Sequence, residues 1–321
     1  MSATGSGAMM HRRHLPGLSF PVPVCGLGGW ALGGRAYGPV EREVARATLI
    51  RFIELGGTFI DTAEAYGASE EIIGKVIAEL GCRESVVLAT KTQHHRAADI
   101  RHALEQSLRR LSTERIDVYQ IHAPPEDDAT MEEVLDVFDS LRREGKIRLV
   151  GASVKGPSVT PHTAALCRRY IGTGRVQALQ VIYSLLRPAN ATVFAEAARA
   201  GVAIIARTVL ESGFLTGSYV PAHVFSADDH RRRWSATQLE CILQSVQDLA
   251  ANLPGEASSV TDLAIRFALS PPEVSVVIPG AKRPDQVERN WRAAAGPALS
   301  DDVVDGLRRR FEGLQEMANP A

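Results

Sequence analysis

Four ionisable residues stand at or just past the ends of short apolar runs. Asp61 closes the run Thr58–Asp61 and Tyr66 follows in its loop; Lys91 closes Val86–Lys91, and His122 closes Val118–His122. A charge inside an apolar run is costly unless it is paired. Taken singly, each has an ordinary structural explanation: an Asp61–Lys91 ion pair, a rim tyrosine, a satisfied core histidine. Taken together they form one chemical unit. A tyrosine phenol titrates at about 10, too high to exchange protons readily at neutral pH. A nearby ammonium favours the phenolate, and a carboxylate behind the ammonium keeps it charged and in place. A neutral imidazole can hydrogen-bond a substrate oxygen and orient it. The set reads as a general acid for carbonyl reduction. No nucleophile–base pair of the Ser-His kind and no metal-ligand cluster accompanies it, so no metal is expected. Adjacent His94 and His95 point different ways from a loop near the same place and are expected at most to touch substrate.

These residues meet only if the runs that carry them are neighbouring strands. Eight such runs occur: Val24–Gly28, Thr58–Asp61, Val86–Lys91, Val118–His122, Ile147–Ser153, Ala178–Tyr183, Val202–Ala206 and Val274–Ile278. Each is short and nearly all apolar, as strands are when both faces of a parallel sheet are covered. Amphipathic helices lie between them. Ala45, Leu49, Phe52 and Ile53 make one apolar stripe; Ile100, Leu104, Leu108 and Leu111 make another; Val134, Phe138 and Leu141 a third, with Gly145 where the helix should end. Ser69, Glu70 and Glu71 suit a helix N-terminus after the second strand.

Eight strands alternating with helices predict an α/β fold, a single-domain (β/α)8 TIM barrel, in which chemistry sits at the C-terminal strand ends. A doubly wound sheet is disfavoured because Gly26-Leu27-Gly28-Gly29 is not followed by the dinucleotide fingerprint of such folds. Residues 1–10 are expected to be a flexible N-terminus and residues 11–321 the barrel. Within it, 11–23 should form an N-terminal β-hairpin, 210–235 a long binding loop, and the tail after Asp301 one extra C-terminal helix.

Composition narrows the function further. The 321 residues are 45% hydrophobic and 23% charged with net charge −1, which supports a sizeable core and gives no pull toward nucleic acid. No apolar run approaches the roughly 20 residues of a membrane helix, and no secretory signal is legible. Four cysteines lie far apart without a CxxC, as in a reducing compartment, so a cytoplasmic protein is expected. After the eighth run, Gly280-Ala281-Lys282-Arg283-Pro284 precedes a helix, a favourable place for a phosphate. The run from Asp228 and Asp229 through His230, Arg231, Arg232 and Arg233 to Trp234 reads first as a solvated loop or helix start. Trp30 and Tyr37 read as pocket or rim aromatics.

The ordered motifs resemble the aldo-keto reductases over about residues 11–295. They are Gly56–Gly67 with Ser69-Glu70 and Gly74, Ala89-Thr90-Lys91, Ile116–His122, Glu144–Arg148 leading into Gly151-Ala152-Ser153, and Ile278–Lys282 with Gln286 and Asn290. The resemblance implies NADP(H), bound extended across the barrel mouth. It implies Tyr66 as proton donor, Lys91 and Asp61 as its tuners, and His122 orienting the carbonyl. Ser153 and Gln180 would hold the nicotinamide carboxamide, with Gly28, Gly29, Trp30 and Asp61 beside cofactor and substrate. Thr208, Leu210 and Ser212 would follow the pyrophosphate, and Gly280, Lys282, Arg283, Gln286 and Asn290 would meet the adenosine end. Four residues depart from the family pattern: Val154 where asparagine is common, Arg207 where an aromatic often stacks on nicotinamide, Arg289 in place of an acid, and the small Ala123.

The expected function is therefore NADP(H)-dependent reduction of an aldehyde or ketone, or the reverse oxidation of an alcohol or sugar, on small molecules without nucleic acid or membrane. Two rival readings are a nucleotide-binding redox-sensing or channel-associated subunit with little turnover, and a Schiff-base lyase using Lys91 as nucleophile.

Overall fold

The computed structural model describes residues 9–34, 37–154, 159–226 and 229–320. Most of the expected flexible N-terminus, Asp228 of the charged run and the final alanine lie outside the described residues. A short antiparallel pair, β1 (Arg12–His14) and β2 (Pro21–Pro23), precedes the barrel. The eight parallel strands are β3 (Leu27–Gly28), β4 (Phe59–Asp61), β5 (Val87–Thr92), β6 (Ile116–His122), β7 (Ile147–Ser153), β8 (Ala178–Ile182), β9 (Ala203–Arg207) and β10 (Val274–Val277). They run in sequence order around the sheet, and bridges Cys25–Val277 and Gly28–Gly280 join the first to the last. The fold is the expected (β/α)8 barrel.

Helices α1 (Arg42–Glu54), α2 (Ser69–Leu80), α3 (Ala97–Arg110), α4 (Asp128–Arg143), α5 (Pro161–Gly172) and α6 (Phe194–Arg199) alternate with strands on the outside. After β9 come α7 (Ala236–Ala251) and α8 (Val260–Leu269), and α9 (Pro284–Ala294) follows β10. The predicted stripes are the buried faces: Ala45, Leu49 and Phe52 on α1, Ile100 and Leu104 on α3, Val134, Phe138 and Leu141 on α4. Gly145, with φ 75°, follows α4 in the left-handed conformation that ends a helix. The tail is more than the single helix expected: α10 (Asp301–Phe311) continues through a 3₁₀ turn into α11 (Gln315–Ala318). Among the described residues no helix is long and apolar enough to cross a membrane.

The strand period of two sorts each run into an inward and an outward column. Phe59, Val87, Ala89, Val118, Ala178, Ala203, Ile205 and Val276 fill the barrel interior, and Leu15, Leu18 and Val22 of the N-terminal hairpin join them from the N-terminal end. Moving two residues along β4, β5, β6 and β9 from this apolar floor reaches Asp61, Lys91, Gln120 and Arg207. The polar layer is the same inward column continued to the other end of the barrel.

Helix α2 starts at Ser69, as Ser69, Glu70 and Glu71 predict. Glu70 at the head of α2 does not face solvent; it is buried, accepting from Thr90 Oγ1 at 2.6 Å and Arg110 Nε at 2.7 Å. It ties α2 to α3 and β5 as well as sitting at a helix N-terminus. Ser69 also turns inward, donating to the Gly29 carbonyl at 2.9 Å.

Candidate active site

Lys91 is fully buried and its ammonium is surrounded by oxygens. Nζ donates to Asp61 Oδ2 at 2.7 Å, to the Thr62 carbonyl at 2.8 Å and toward Tyr66 Oη at 3.5 Å. Its distance to the Tyr66 ring centroid is 4.9 Å. The other carboxylate oxygen, Asp61 Oδ1, accepts from Gln120 Nε2 at 3.1 Å and Gln180 Nε2 at 2.7 Å. Both Asp61 oxygens thus have donors, which a buried carboxylate requires. Register explains the meeting: Lys91 pairs with Gln120 across β5 and β6, and Asp61 with Ala89 across β4 and β5. The His122 ring lies edge-on to that of Tyr66, centroids 6.1 Å apart. The four predicted catalytic residues are therefore brought together.

Tyr66 is placed from outside the sheet. The chain at 29–33 forms a 3₁₀ turn beneath its loop, and a β-carbon on Gly33 would lie 1.7 Å from the Tyr66 carbonyl oxygen. Only glycine permits that approach. Trp30, from the same turn, has its ring centroid 6.3 Å from that of Tyr66.

A cavity of about 930 Å³ opens over these groups, toward the upper end of the range for small-molecule sites. Asp61, Tyr66 and His122 line one end; Lys282, Arg283, Gln286, Arg289 and Asn290 line the other. Most residues expected to hold a cofactor border it: Gly28, Trp30, Gln180, Arg207, Thr208, Leu210, Ser212 and Gly280 do so. Gly29 and Ser153 lie behind the wall. Ser153 donates to Gln180 Oε1 at 3.2 Å, so it steadies Gln180 from the side.

At the basic end Lys282 donates to the Tyr37 carbonyl, and its backbone N–H donates to Gln286 Oε1 at 2.7 Å. Burial and the neighbouring Arg231 hold the Lys282 ammonium below the usual lysine range. Arg283 and Arg289 share the carboxylate of Asp285, at 3.0 and 2.7 Å. Asn290 donates to the Gly280 carbonyl at 3.4 Å.

The connection after β9 forms a wall of this cavity, and here the structure corrects the reading of the charged run. Arg231 is not solvated: it is 6% exposed, forked onto Asp229 at 2.8 and 2.5 Å, with its guanidinium over the Tyr37, Tyr219 and Phe225 rings. His230 meets Ser212 Oγ at 3.1 Å and lies against Trp30 and Tyr37. Tyr37 is half-buried there, and loss of solvent around its phenol pushes it up to about 12. The backbone at Thr208, Glu211 and Ser212 has positive φ of 61°, 47° and 55°. Non-glycine residues hold that conformation only where surroundings fix them. A buried pair does so: Arg187 donates to both Glu211 oxygens, at 2.9 and 2.6 Å, and Ser184 also donates to that carboxylate. His95 contacts the Ala123 carbonyl at 3.1 Å, while of that loop it is Gln93 that borders the cavity.

Sequence reasoning missed Gln120, Arg187 and Glu211. Gln120 lies two residues before His122 on β6, so strand alternation alone points it into the same layer. Arg187 stands alone after the apolar Leu185-Leu186, a signal of a buried pair, although nothing local names Glu211 as its partner.

An acid-base set at the C-terminal mouth of a closed barrel, joined to a long cavity with a basic end, defines a barrel oxidoreductase. Residues 25–309 match the profile described as the Aldo/keto reductase family, and the chain belongs to that family. It is 32% identical to the aldo-keto reductase YhdN of Bacillus subtilis over 87% of each chain. Its fold is similar to an aldo-keto reductase from Bacillus halodurans in holo form (TM-score 0.76, 25% identity, 95% of this chain and 96% of that one). It is also similar to the glycerol dehydrogenase from Gluconobacter oxydans (TM-score 0.76, 27% identity, 94% and 95%). The chain is accordingly a nicotinamide-dependent carbonyl oxidoreductase.

Proposed function

We propose that this chain acts on small aldehydes or ketones with NADPH as the preferred nucleotide, using Tyr66 as the proton donor, in the cytoplasm and without nucleic-acid or membrane partners. The observation that carries the reading is the position of Lys91 Nζ, held by Asp61 Oδ2 at 2.7 Å and directed at Tyr66 Oη at 3.5 Å. The cavity suits an extended nucleotide, because cations stand at one end and the acid-base set at the other. Lys282, Arg283 and Arg289 would meet a phosphorylated ribose, and three cations against the one carboxylate of Asp285 favour NADPH over NADH. A bound reduced nicotinamide supplies the hydride.

The chain's own residues do the rest. His122 hydrogen-bonds the carbonyl oxygen and turns it toward Tyr66. Tyr66 passes its hydroxyl proton to that oxygen as negative charge builds there. The Lys91 ammonium stabilises the charge left on Tyr66 Oη, and Asp61 keeps the ammonium in position. Gln120 and Gln180 fix Asp61. Trp30 and Tyr37 wall the space from water. The same geometry argues against the Schiff-base reading: Lys91 lies outside the cavity wall and its ammonium is spent on three oxygens.

Tyr66→Phe tests the proposal. It removes the proton donor and keeps the ring, so reduction should fall by about 10²–10⁴-fold. NADPH affinity should stay within about twofold, since the phosphate end of the cavity is untouched. Wild-type turnover in this variant would overturn the assignment.

A further inference from the structure

Pairing the charges at the catalytic end of the cavity leaves one cation over. Asp61 is matched by Lys91 and Glu211 by Arg187. Arg207 ends β9 on the same side as Ala203 and Ile205, which face the barrel interior. Its side chain therefore rises into the mouth, where it borders the cavity with Tyr66, Asp61 and Gln180. Its guanidinium donates to two neutral oxygens, Thr208 Oγ1 at 3.2 Å and the Val154 carbonyl at 3.1 Å. Among the described residues no carboxylate forms an ion pair with it. The Tyr66 phenol attracts it only when ionised, Arg187 repels it, and Asp61 and Glu211, each already neutralised, act on it from further away. Burial accordingly holds Arg207 below the usual arginine range.

We propose that Arg207 makes the site discriminate between the redox states of its nucleotide, holding the neutral reduced nicotinamide more tightly than the cationic oxidised one. The inference rests on the reading that a nicotinamide nucleotide occupies this cavity. Hydride can reach a carbonyl carbon whose oxygen is bonded to Tyr66 only if the ring touches that carbon. Arg207 borders that same space. A fixed cation there opposes a pyridinium and leaves an uncharged ring alone.

The charge also biases the reaction within the bound complex. In alcohol oxidation the carbinol carbon gives up a hydride, two electrons with one proton, to the oxidised ring, and the hydroxyl proton leaves through Tyr66. One cationic ring is consumed and one neutral ring forms, so Arg207 favours this direction on the enzyme. The solution equilibrium is unchanged, because tighter retention of the reduced nucleotide opposes its release.

The test is equilibrium binding of NADPH and NADP⁺ to the full-length protein by quenching of tryptophan fluorescence, for wild type, Arg207→Met and Arg207→Lys. Binding of 2′,5′-ADP reports the intact basic end of the cavity. Wild type should hold NADPH about 10–100-fold more tightly than NADP⁺, as one unit charge about 6–12 Å away produces at an effective dielectric of about 20. Arg207→Met should shrink the ratio by about tenfold or more, chiefly through tighter NADP⁺, while Arg207→Lys keeps most of it. Arg207→Gln replaces Met should the latter not fold. A wild-type ratio near one overturns the inference, as does an unchanged ratio in a neutral variant that still binds 2′,5′-ADP. Absence of binding by either nicotinamide nucleotide to wild type overturns the cofactor reading and this inference with it.

Discussion

Removing the lysine at the centre of the site should cost the fold as well as the chemistry. Lys91→Met keeps the length of the stem and deletes the ammonium. Asp61, only 2% exposed, would keep Gln120 and Gln180 on Oδ1 but lose its donor to Oδ2 and its counter-charge. The Thr62 carbonyl would lose its donor too. Breaking a buried ion pair from one side costs about 3–5 kcal/mol, because a charge is left uncompensated. Asp61→Asn should cost a similar amount by stranding the ammonium. The double variant, Asp61→Asn with Lys91→Met, removes both charges of the pair and should cost no more than about either single change. That gives a coupling of about 3 kcal/mol or more. Urea unfolding followed by circular dichroism, without nucleotide and at pH 7, reads all four corners of the cycle. Single changes that each cost under about 1 kcal/mol and add in the double variant would refute the reasoning. They would show that water, and not the opposite charge, satisfies each group.

Three further outcomes are expected. Lys282→Ala combined with Arg283→Ala should raise KM for NADPH at least about tenfold more than KM for NADH, and equal effects in steady-state assays would remove the argument for recognising a phosphorylated ribose. Because Lys282 is held below the ordinary lysine range, its charge is lost as pH rises through that lowered value; NADPH affinity should therefore weaken at a lower pH than an exposed lysine, at about 10.4, would give, and Lys282→Arg should abolish that weakening in a binding titration. Gly33→Ala should lower kcat by about tenfold or more by displacing the loop of Tyr66, with the far-ultraviolet spectrum unchanged; full activity would mean that the 29–33 turn does not set the tyrosine's place.

The barrel was legible because parallel strands buried on both faces read as apolar runs. A polar residue closing such a run has to sit at a strand end, and Asp61, Lys91 and His122 do. The first run is where this reading overshot: only Leu27–Gly28 is a strand, since the chain before it is tied to β10 through the single bridge Cys25–Val277. What stayed hidden depends on partners distant in sequence. Arg231 belongs to a run of charges, and nothing in the run says that Asp229 and three aromatic rings enclose it. The Arg187–Glu211 pair spans a whole strand of the barrel, and it decides the backbone of the wall beside the site. Ser153 sits behind Gln180 although its place at a strand end resembles that of Lys91. Arg207 was legible as a departure from the family, but its surplus charge appears only once the neighbouring pairs are matched.

The hairpin at the start of the chain has a consequence for the order of events. With Leu15, Leu18 and Val22 packed into one end, reactants and products share the cavity at the other end and take turns in it. Whatever lies deepest enters first and leaves last. A long nucleotide laid along the wall would then be the guest that stays while smaller visitors come and go past Tyr66.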